Sequence, residues 1–436
     1  MTSPLTLRPE PLNVLIIGLN YSPETTGIAP YTSALARGLG KRGAVVRSLT
    51  AHPHYPAWEV QDGYGQWTST ETLDMAEVTR MRHFVPTNPE GLRRLASEVA
   101  FGLRVIFSRW GKPDVIVMVS PALFATAMAM LRAKLSRRAP SVNVWVQDIY
   151  SLGMKETSAG GSLATKVVTW VEKATLKAAT GVVVIHPRFG DYLASKLGID
   201  PKRIEVVRNW THLEPADHDD IAERRRALGW SAEETIVLHA GNMGVKQGLF
   251  NVVEAARVAD EQQKPVRFVL LGDGSQRESL VALGQGVEHL QFVDSLDDTA
   301  FQGALRAADI LLVNEKLGIS EMAVPSKLTS YFDAGRPVVA ATDQTGVTAG
   351  EIQISNGGRV VGAEDPQALL DTVMELRRDR TVAAELGRNG RRYRTDVLGE
   401  EGAIDPPAGS RIWRWPQARI PRESGHRETA RTSPRS

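Results

Sequence analysis

The stretch Gly318-Ile-Ser-Glu-Met-Ala-Val-Pro-Ser-Lys-Leu-Thr-Ser-Tyr-Phe-Asp-Ala-Gly-Arg-Pro-Val-Val-Ala-Ala341 has the clearest structural signature in this chain. It follows the apolar run 308–314, which predicts a buried strand. Pro325 suits the first position of a helix, because its φ is already helical and its missing N–H is not needed there. We expect the helix to run to Ala334, Gly335 to adopt the left-handed cap conformation, and a new strand to open at Pro337.

The start of this predicted helix has the properties of an anion site. A helix that follows a parallel strand directs its free N–H groups and its positive dipole end towards the edge of the sheet where the strands end. Pro325, Ser326 and Leu328 belong to this first turn, and Lys327 adds a cation. We therefore expect the turn to bind the diphosphate of a nucleotide.

Length and composition limit the possibilities. A chain of 436 residues is too long for one compact core and suggests two domains. The absence of cysteine excludes disulfides, thiolate nucleophiles and Cys-ligated zinc. Neither a signal-peptide pattern nor an apolar run of membrane-spanning length is present, so we expect a cytoplasmic protein.

The formal net charge of +2 is misleading. Seven Arg and only two Glu lie within residues 406–436, so the rest of the chain is net negative. A nucleic-acid-binding protein needs a basic face to neutralise phosphates, and we therefore expect no nucleic-acid partner.

Short apolar runs rich in Val and Ile alternate with helical stretches along the chain. Most of these runs are continuous, as in parallel sheets that are covered on both faces. The polar, acidic segment 210–221 interrupts the pattern and indicates a linker. We expect strands at 13–19, 45–50, 78–84, 114–119, 142–147, 181–185, 204–207, 235–239, 266–271, 291–292, 310–313 and 337–341.

This repetition predicts an α/β protein with two tandem doubly wound, Rossmann-like domains that face a cleft. We place the first domain at residues 1–211 and the second at 212–404. Residues 405–436 are rich in Arg, Pro and Ser and predict a disordered tail. Ligands of such sheets bind where the parallel strands end, so the cleft is the expected active site.

The first strand–helix junction reads Ile17-Gly-Leu-Asn-Tyr-Ser-Pro-Glu-Thr-Thr-Gly-Ile28. It lacks Gly-x-Gly-x-x-Gly, so a nicotinamide or flavin dinucleotide is not indicated. Glu24 and Gly27 fall in a loop over the cleft, where they could contact a substrate. An ordinary connection is the alternative, since Gly and Pro are common in such loops.

The second domain opens with a strand followed by Gly241, Gly244 and Gly248, with Lys246 among them. Glycines allow backbone amides to approach a phosphate closely, and lysine supplies a point charge, although a solvated surface lysine is the alternative.

A second glycine turn follows a later strand of the same domain. In Leu271-Gly-Asp-Gly-Ser275, Gly272 and Gly274 could let a base or ribose lie against the backbone, although a plain turn is nearly as good an explanation. Val293 ends the next strand beside this turn.

Two polar residues of the first domain follow predicted strands. Asp148 could orient an acceptor hydroxyl or simply cap a helix. His186 is similarly placed, and a capping or core histidine is the alternative. The helical stretch 123–138 is apolar at first and basic at its end, so it could touch an anionic membrane or be a core helix with a cationic last turn.

Other chemistries find no support in the sequence. It contains no phosphate-binding Gly-x-x-x-x-Gly-Lys-Ser/Thr, no His-Glu-x-x-His and no Gly-x-Ser-x-Gly. We expect no metal and no cofactor.

These motifs together resemble those of family-4 glycosyltransferases with the GT-B fold, and more narrowly the colanic-acid-type exopolysaccharide fucosyl/glycosyltransferases. The resemblance covers about residues 12–404 and depends on four segments in this order. They are Tyr21-Ser-Pro-Glu-Thr-Thr-Gly-Ile, Gly241-Asn-Met-Gly-Val-Lys-Gln-Gly-Leu, Leu271-Gly-Asp-Gly and Pro325-Ser-Lys-Leu-Thr-Ser-Tyr-Phe-Asp-Ala-Gly-Arg-Pro-Val.

The resemblance implies sugar transfer from a nucleotide diphosphate donor with retention of configuration, usually without a metal. Related enzymes carry two glutamates about eight residues apart here; Glu321 stands near the first, and Ser330 occupies the second. We expect the acceptor near Glu24, Gly27 and His186, and catalytic roles for Asp148, Lys246, Lys327 and Glu321. The donor would bind to Gly241, Asn242, Gly272, Gly274, Val293, Pro325, Ser326 and Leu328.

The function we expect is transfer of a sugar, with GDP-fucose as a candidate donor, to a polyprenyl-diphosphate-linked glycan in exopolysaccharide biosynthesis. The enzyme would be cytoplasmic and peripheral to the inner face of the membrane. Ser330 and the unusual carboxyl terminus leave a catalytically silent sugar-nucleotide-binding or scaffold subunit as the alternative, and a sugar-nucleotide epimerase as a weaker one. In the family a terminal helix crosses back onto the first domain, whereas here we expect the Arg-rich tail to replace it.

Overall fold

Two β-sheets organise the chain in the computed structural model, which describes residues 11–24, 27–89, 91–152, 162–210, 220–318 and 326–404. The strands of the first sheet are β1 Asn13–Ile17, β2 Val45–Ala51, β3 Thr68–Leu73, β4 Ala76–Met81, β5 Val115–Val119, β6 Ser141–Val146, β7 Gly181–Val184 and β8 Ile204–Val206. Those of the second are β9 Thr235–Ala240, β10 Val266–Leu271, β11 Leu290–Val293, β12 Ile310–Asn314, β13 Val338–Thr342 and β14 Gly358–Gly362.

Both sheets are doubly wound. The first has the order β3-β4-β2-β1-β5-β6-β7-β8, and the second has the order β11-β10-β9-β12-β13-β14. Every pair is parallel except β3 with β4. The strand order reverses beside β1 in one sheet and beside β9 in the other, and such switch points create crevices where the strands end. The predicted fold class is confirmed.

Helices cover both faces of each sheet. In the first domain they are α1 Ala29–Lys41, α2 Gly91–Phe107, α3 Leu123–Leu135, α4 Ser162–Ala178 and α5 Pro187–Leu197. In the second they are α6 Ile221–Ala227, α7 Phe250–Glu261, α8 Arg277–Leu283, α9 Asp298–Ala307, α10 Ser326–Ala334, α11 Val347–Ser355, α12 Pro366–Arg378 and α13 Arg380–Val397. The short helix α14 Glu400–Ile404 follows them in the chain. Each sheet therefore has one apolar core on either side. None of the helices in the described ranges is long and apolar enough to span a membrane.

Helix α10 and its surroundings confirm the prediction made from residues 318–341. The helix ends at Ala334, Gly335 has a φ of 68°, and β13 begins at Val338. Tyr331 is fully buried, and its hydroxyl accepts a hydrogen bond of 2.8 Å from the backbone N–H of Ala240. This bond fixes α10 against the end of β9.

The sequence did not predict two edge strands. Strand β3 alternates Thr, Ser and Glu without an apolar face, and it pairs antiparallel with the edge of the first sheet. Strand β14 is short and bounded by glycines, which are poor strand formers. Both strands are stabilised by hydrogen bonding to the neighbouring strand, which residue propensities do not predict.

The expectation that a crossover helix is missing is wrong. Helix α14 lies on α1 of the first domain, where a Cβ on Gly38 would be 2.5 Å from Ile404 Cδ1. Glu400 pairs with Arg37 at 3.7 Å. The glycine leaves room for the buried Ile404, so the chain returns to the first domain before residue 405. The predicted tail, 405–436, lies outside the described residues.

Candidate active site

A cavity of about 410 Å³ opens where the strands of the first sheet end. Asp148 follows β6 and Ile185 follows β7 in its wall, and Arg94 and Glu98 reach it from α2. Gly27 lines the side nearest α1. The cavity therefore occupies the switch-point crevice in which ligands of doubly wound sheets bind.

Asp148 connects this cavity to the second domain. Burial raises the pKa of its carboxyl group, and the positive charges of Lys246 and Arg94 act in the opposite direction. Lys246 is exposed in a short 3₁₀ helix, Val245–Gln247, that follows β9. The charge of Lys246, in the second domain, thus acts on the carboxyl group of Asp148 in the first.

Glu98 is a buried acid of the cavity that the sequence did not single out. Its Oε1 accepts a hydrogen bond of 2.7 Å from the Tyr150 hydroxyl, and its Oε2 accepts one of 3.1 Å from the Phe124 backbone N–H. Arg94 Nε lies 3.5 Å from the same carboxylate. Burial raises the pKa of Glu98 against these contacts. A single glutamate within a helix gives no sign in the sequence that it is buried in a cavity wall.

Glu24 shapes the cavity from behind its wall. The side chain is buried, and Oε1 accepts hydrogen bonds of 2.8 Å from the backbone N–H groups of His54 and Tyr55. Oε2 accepts a third, also 2.8 Å, from Asn20. Gly27 has a φ of 66°, and a Cβ there would be 3.2 Å from the Tyr55 ring. Glu24 thus orients the loop whose aromatic ring covers Gly27.

The two glycine turns of the second domain, at Gly241 and at Gly272–Gly274, pack closely against each other. Gly272 has a φ of 123°, and a Cβ on it would lie 2.3 Å from the carbonyl oxygen of Gly241. Gly274 has a φ of 154°, and a Cβ there would lie 2.5 Å from Asn242 Oδ1. Gly272 N–H also donates a hydrogen bond of 2.9 Å to the carbonyl of Val293. The donor-side residues predicted at these positions therefore form one surface.

Lys327 lies beside this surface, since a Cβ on Gly241 would be 3.3 Å from its Cε. Its ammonium is 2.9 Å from Nε2 of His239, which is fully buried. Burial lowers the pKa of Lys327 to about 7, although the carboxylate of Glu315 acts the other way. Burial and then Lys327 hold the pKa of His239 well below its usual range, so His239 is neutral and can accept from the ammonium. His239 sits within an apolar strand, where sequence alone suggests only a core residue.

His186 takes the position of a helix cap, the alternative that the sequence left open. Its Nδ1 accepts from the backbone N–H of Arg188 at 3.1 Å, at the start of α5. Its Nε2 lies 3.1 Å from Oε1 of Glu351, on α11 of the second domain. Glu351 also accepts hydrogen bonds from Arg208 and, at 2.9 Å, from Tyr393. Both ring nitrogens of His186 are thus used for the cap and for a contact between the domains.

The remaining predicted residues belong to the start of α10. Ser326 is the first residue of the helix, and Leu328 is buried in the core, so only the backbone of Leu328 could serve a ligand. Glu321 and Pro325 lie outside the described residues.

Each domain matches one known protein family. Residues 26–210 match the glycosyl transferase 4-like domain, and residues 234–379 match the glycosyl transferases group 1 family. The chain is 32% identical over 346 residues to WcaI of Escherichia coli K12, described as a colanic acid biosynthesis glycosyl transferase; the match covers 76% of this chain and 84% of that protein. It is 23% identical over 300 residues to WbjE of Pseudomonas aeruginosa, described as a glycosyltransferase, covering 66% and 72% of the two chains.

Solved structures show the same architecture. HepE of Anabaena, in complex with UDP and glucose, has a TM-score of 0.65 at 16% identity, covering 90% of this chain and 97% of HepE. WaaG, a glycosyltransferase involved in lipopolysaccharide biosynthesis, has a TM-score of 0.62 at 17% identity, covering 91% and 100%. At these identities the likeness concerns the fold.

Two doubly wound domains of this topology, each matching a glycosyltransferase family, define an enzyme of the GT-B class. The protein is therefore a glycosyltransferase. It belongs to the family-4 glycosyltransferases and is similar to their colanic-acid-type members, which confirms the resemblance seen in its motifs.

Proposed function

We propose that this enzyme transfers a sugar from a nucleoside diphosphate donor to a lipid-linked glycan, with retention of configuration, in exopolysaccharide biosynthesis. The observation that carries the proposal is the ammonium of Lys327 beside Gly241, on the second domain of a cleft whose other wall holds Asp148. The match to WcaI supports the exopolysaccharide pathway, and GDP-fucose is the first donor to test.

On the donor side, Lys327, Lys246 and the backbone amides that begin α10 would hold the diphosphate. Negative charge grows on the diphosphate as the sugar bond breaks, and cations placed in advance stabilise that charge in the transition state. The turn Gly272-Asp-Gly274, of which Asp273 is exposed, offers backbone against which the nucleoside can lie. No metal is needed for this arrangement.

On the acceptor side, the cavity of the first domain would hold the glycan with Asp148 near the reacting hydroxyl. The hydroxyl attacks from the face that the diphosphate leaves, and its proton passes to the departing phosphate. The acceptor's polyprenyl diphosphate would keep the enzyme at the inner face of the membrane.

The test incubates the protein with labelled GDP- and UDP-sugars and a synthetic polyprenyl-diphosphate glycan. We expect one donor to give a glycosylated lipid whose new linkage keeps the anomeric configuration of the donor, as read by NMR. Donor binding without any transfer would overturn the proposal in favour of a silent subunit. Conversion of the donor in the absence of acceptor would instead favour an epimerase.

Replacing Asp148 with Asn should raise the KM for the acceptor by about three- to tenfold and leave the KM for the donor unchanged. The substitution keeps the shape of the side chain but removes the charge that accepts a hydrogen bond from the acceptor hydroxyl. Steady-state kinetics with each substrate varied in turn measures both constants. An increase confined to the donor KM would contradict the assignment.

A further inference from the structure

Helix α2 has an unusual distribution of residues for a surface helix. Its inward face buries Phe101 and Val105 in the core and also buries Ser97 and the acid Glu98. Its outward face is apolar, with Leu92 82%, Leu103 46% and Phe107 83% exposed. These three residues fall on one stripe of the helix, because their spacings of 11 and 4 are close to whole turns.

The neighbouring helices extend this apolar surface. A Cβ on Gly102 of α2 would be 2.7 Å from Met128 Sδ of α3, and α3 in turn packs on α4. The large exposed side chains of the three helices form what we call the α2–α4 face: Leu92, Leu103, Phe107, Leu131, Leu135, Leu163, Val167 and Trp170. Contiguous exposed apolar patches of this kind mark interaction sites.

The solvent-exposed charged side chains of the same three helices are all basic. Glu98 and Glu172 are the only acids in α2, α3 and α4, and both are buried. The basic residues are exposed or half-exposed: Arg93, Arg94, Arg104, Arg132, Lys134, Lys166, Lys173 and Lys177. This contrasts with the net negative charge of residues 1–405.

We propose that the α2–α4 face lies on an anionic lipid bilayer. Apolar side chains bordered by Lys and Arg are the composition of helices that rest in a membrane interface, and tryptophan favours that depth. Arg104 and Arg132 donate hydrogen bonds to backbone carbonyls of the protein, and Arg94 contacts Glu98 in the cavity. Arg93 and the four lysines are therefore the cations that can extend towards lipid headgroups while their stems cover apolar surface.

For the segment 123–138 the sequence left open a core helix or a membrane contact. Helix α3 packs on the core on one side and contributes Leu131 and Leu135 to the α2–α4 face on the other, so both interpretations apply under this proposal.

The membrane face also bears on how the enzyme meets its acceptor, and this part of the inference rests on the proposed function. Helix α2 presents its apolar stripe outward while Arg94 and Glu98 line the acceptor cavity. A lipid-linked acceptor could therefore keep its chain in the bilayer and place its glycan in the cavity beside the same helix.

The test is co-sedimentation of the full-length protein with vesicles of phosphatidylcholine, with and without phosphatidylglycerol. We expect binding to the anionic vesicles that weakens as salt is raised. The double variant Phe107→Ser/Leu135→Ser should lose at least about tenfold in affinity, because two side chains that enter the interface are removed. The control Leu283→Ser/Ile354→Ser, which changes exposed apolar residues of the second domain, should bind as the wild type does.

Several outcomes would overturn the inference. They are equal binding to neutral and anionic vesicles, unchanged binding of the double variant, or a dimer in solution that only this variant disperses. Transfer to a short-chain, soluble acceptor is measured in parallel and should be unaffected in the double variant. Vesicle binding without any transfer would reject the proposed function alone, and transfer without vesicle binding would reject the membrane face alone.

Discussion

Replacing Lys327 with Met should lower kcat/KM for the nucleotide-sugar donor by about 10- to 100-fold. One charged hydrogen bond to the leaving diphosphate is worth about 1.5–3 kcal/mol, and about 1.4 kcal/mol corresponds to a factor of ten. The Lys327 Nζ atom is already held 2.9 Å from Nε2 of His239, so it is positioned before the donor arrives. Wild-type kinetics in this variant would refute the role of Lys327.

Loss of activity in this variant should not come from unfolding. Burial lowers the pKa of Lys327 to about 7, which means that the folded protein disfavours its charged form. Methionine has a similar length and no charge to bury, so the variant should unfold at a temperature no lower than the wild type. Exposed Lys202 provides the matched control, since Lys202→Met should change neither activity nor the unfolding temperature.

The same pKa predicts that donor binding is coupled to proton uptake. Lys327 binds the diphosphate as an ammonium, and it loses that proton as pH rises through about 7 in the free enzyme. Donor affinity should therefore be highest below that value and weaken above it. Both phosphates of a nucleotide sugar are esterified and do not titrate there. Calorimetry at about pH 8 in two buffers of different ionisation enthalpy should show uptake of about one proton by the wild type and none by Lys327→Met.

The fold could be predicted because its signals are local. Continuous Val and Ile runs mark strands that are covered on both faces, and Gly335 marks a helix end. Strand β3 was missed because its polar residues lie on a sheet edge. The crossover of α14 was missed because it depends on the absence of a side chain at Gly38, far away in the sequence.

The candidate site was less predictable because its contacts are not local. The charge of Lys246 acts on Asp148 in the other domain, and no spacing in the sequence encodes this effect. His239 resembles any core residue of a strand. Glu24 falls in the predicted loop, but only the folded chain shows that its carboxylate holds the backbone at His54 and Tyr55.

Replacing Glu351 with Ala should destabilise the protein by about 3–5 kcal/mol. This buried carboxylate accepts from Arg208 and Tyr393 and contacts His186 Nε2, so it joins α11 to the end of the first domain. Removing it leaves the Arg208 guanidinium, whose side chain is only 16% exposed, without its buried partner. Denaturant unfolding of the variant measures the loss, and exposed Glu385→Gln on α13 is the control that should lose nothing.

The contribution of Glu351 should also disappear in acid. Burial alone would raise the pKa of its carboxyl group, but the His186 hydrogen bond and the Arg208 charge hold it below the usual 4.5. A carboxyl group with a lowered pKa stabilises the folded state fully above its unfolded value and loses that contribution as pH falls through the folded one. The stability gap between the wild type and Glu351→Ala should therefore be constant at neutral pH and shrink below about pH 4.5. A gap that stayed constant into acid would show that the cost comes from lost packing and not from the charged network, and the domains would then be coupled by shape alone.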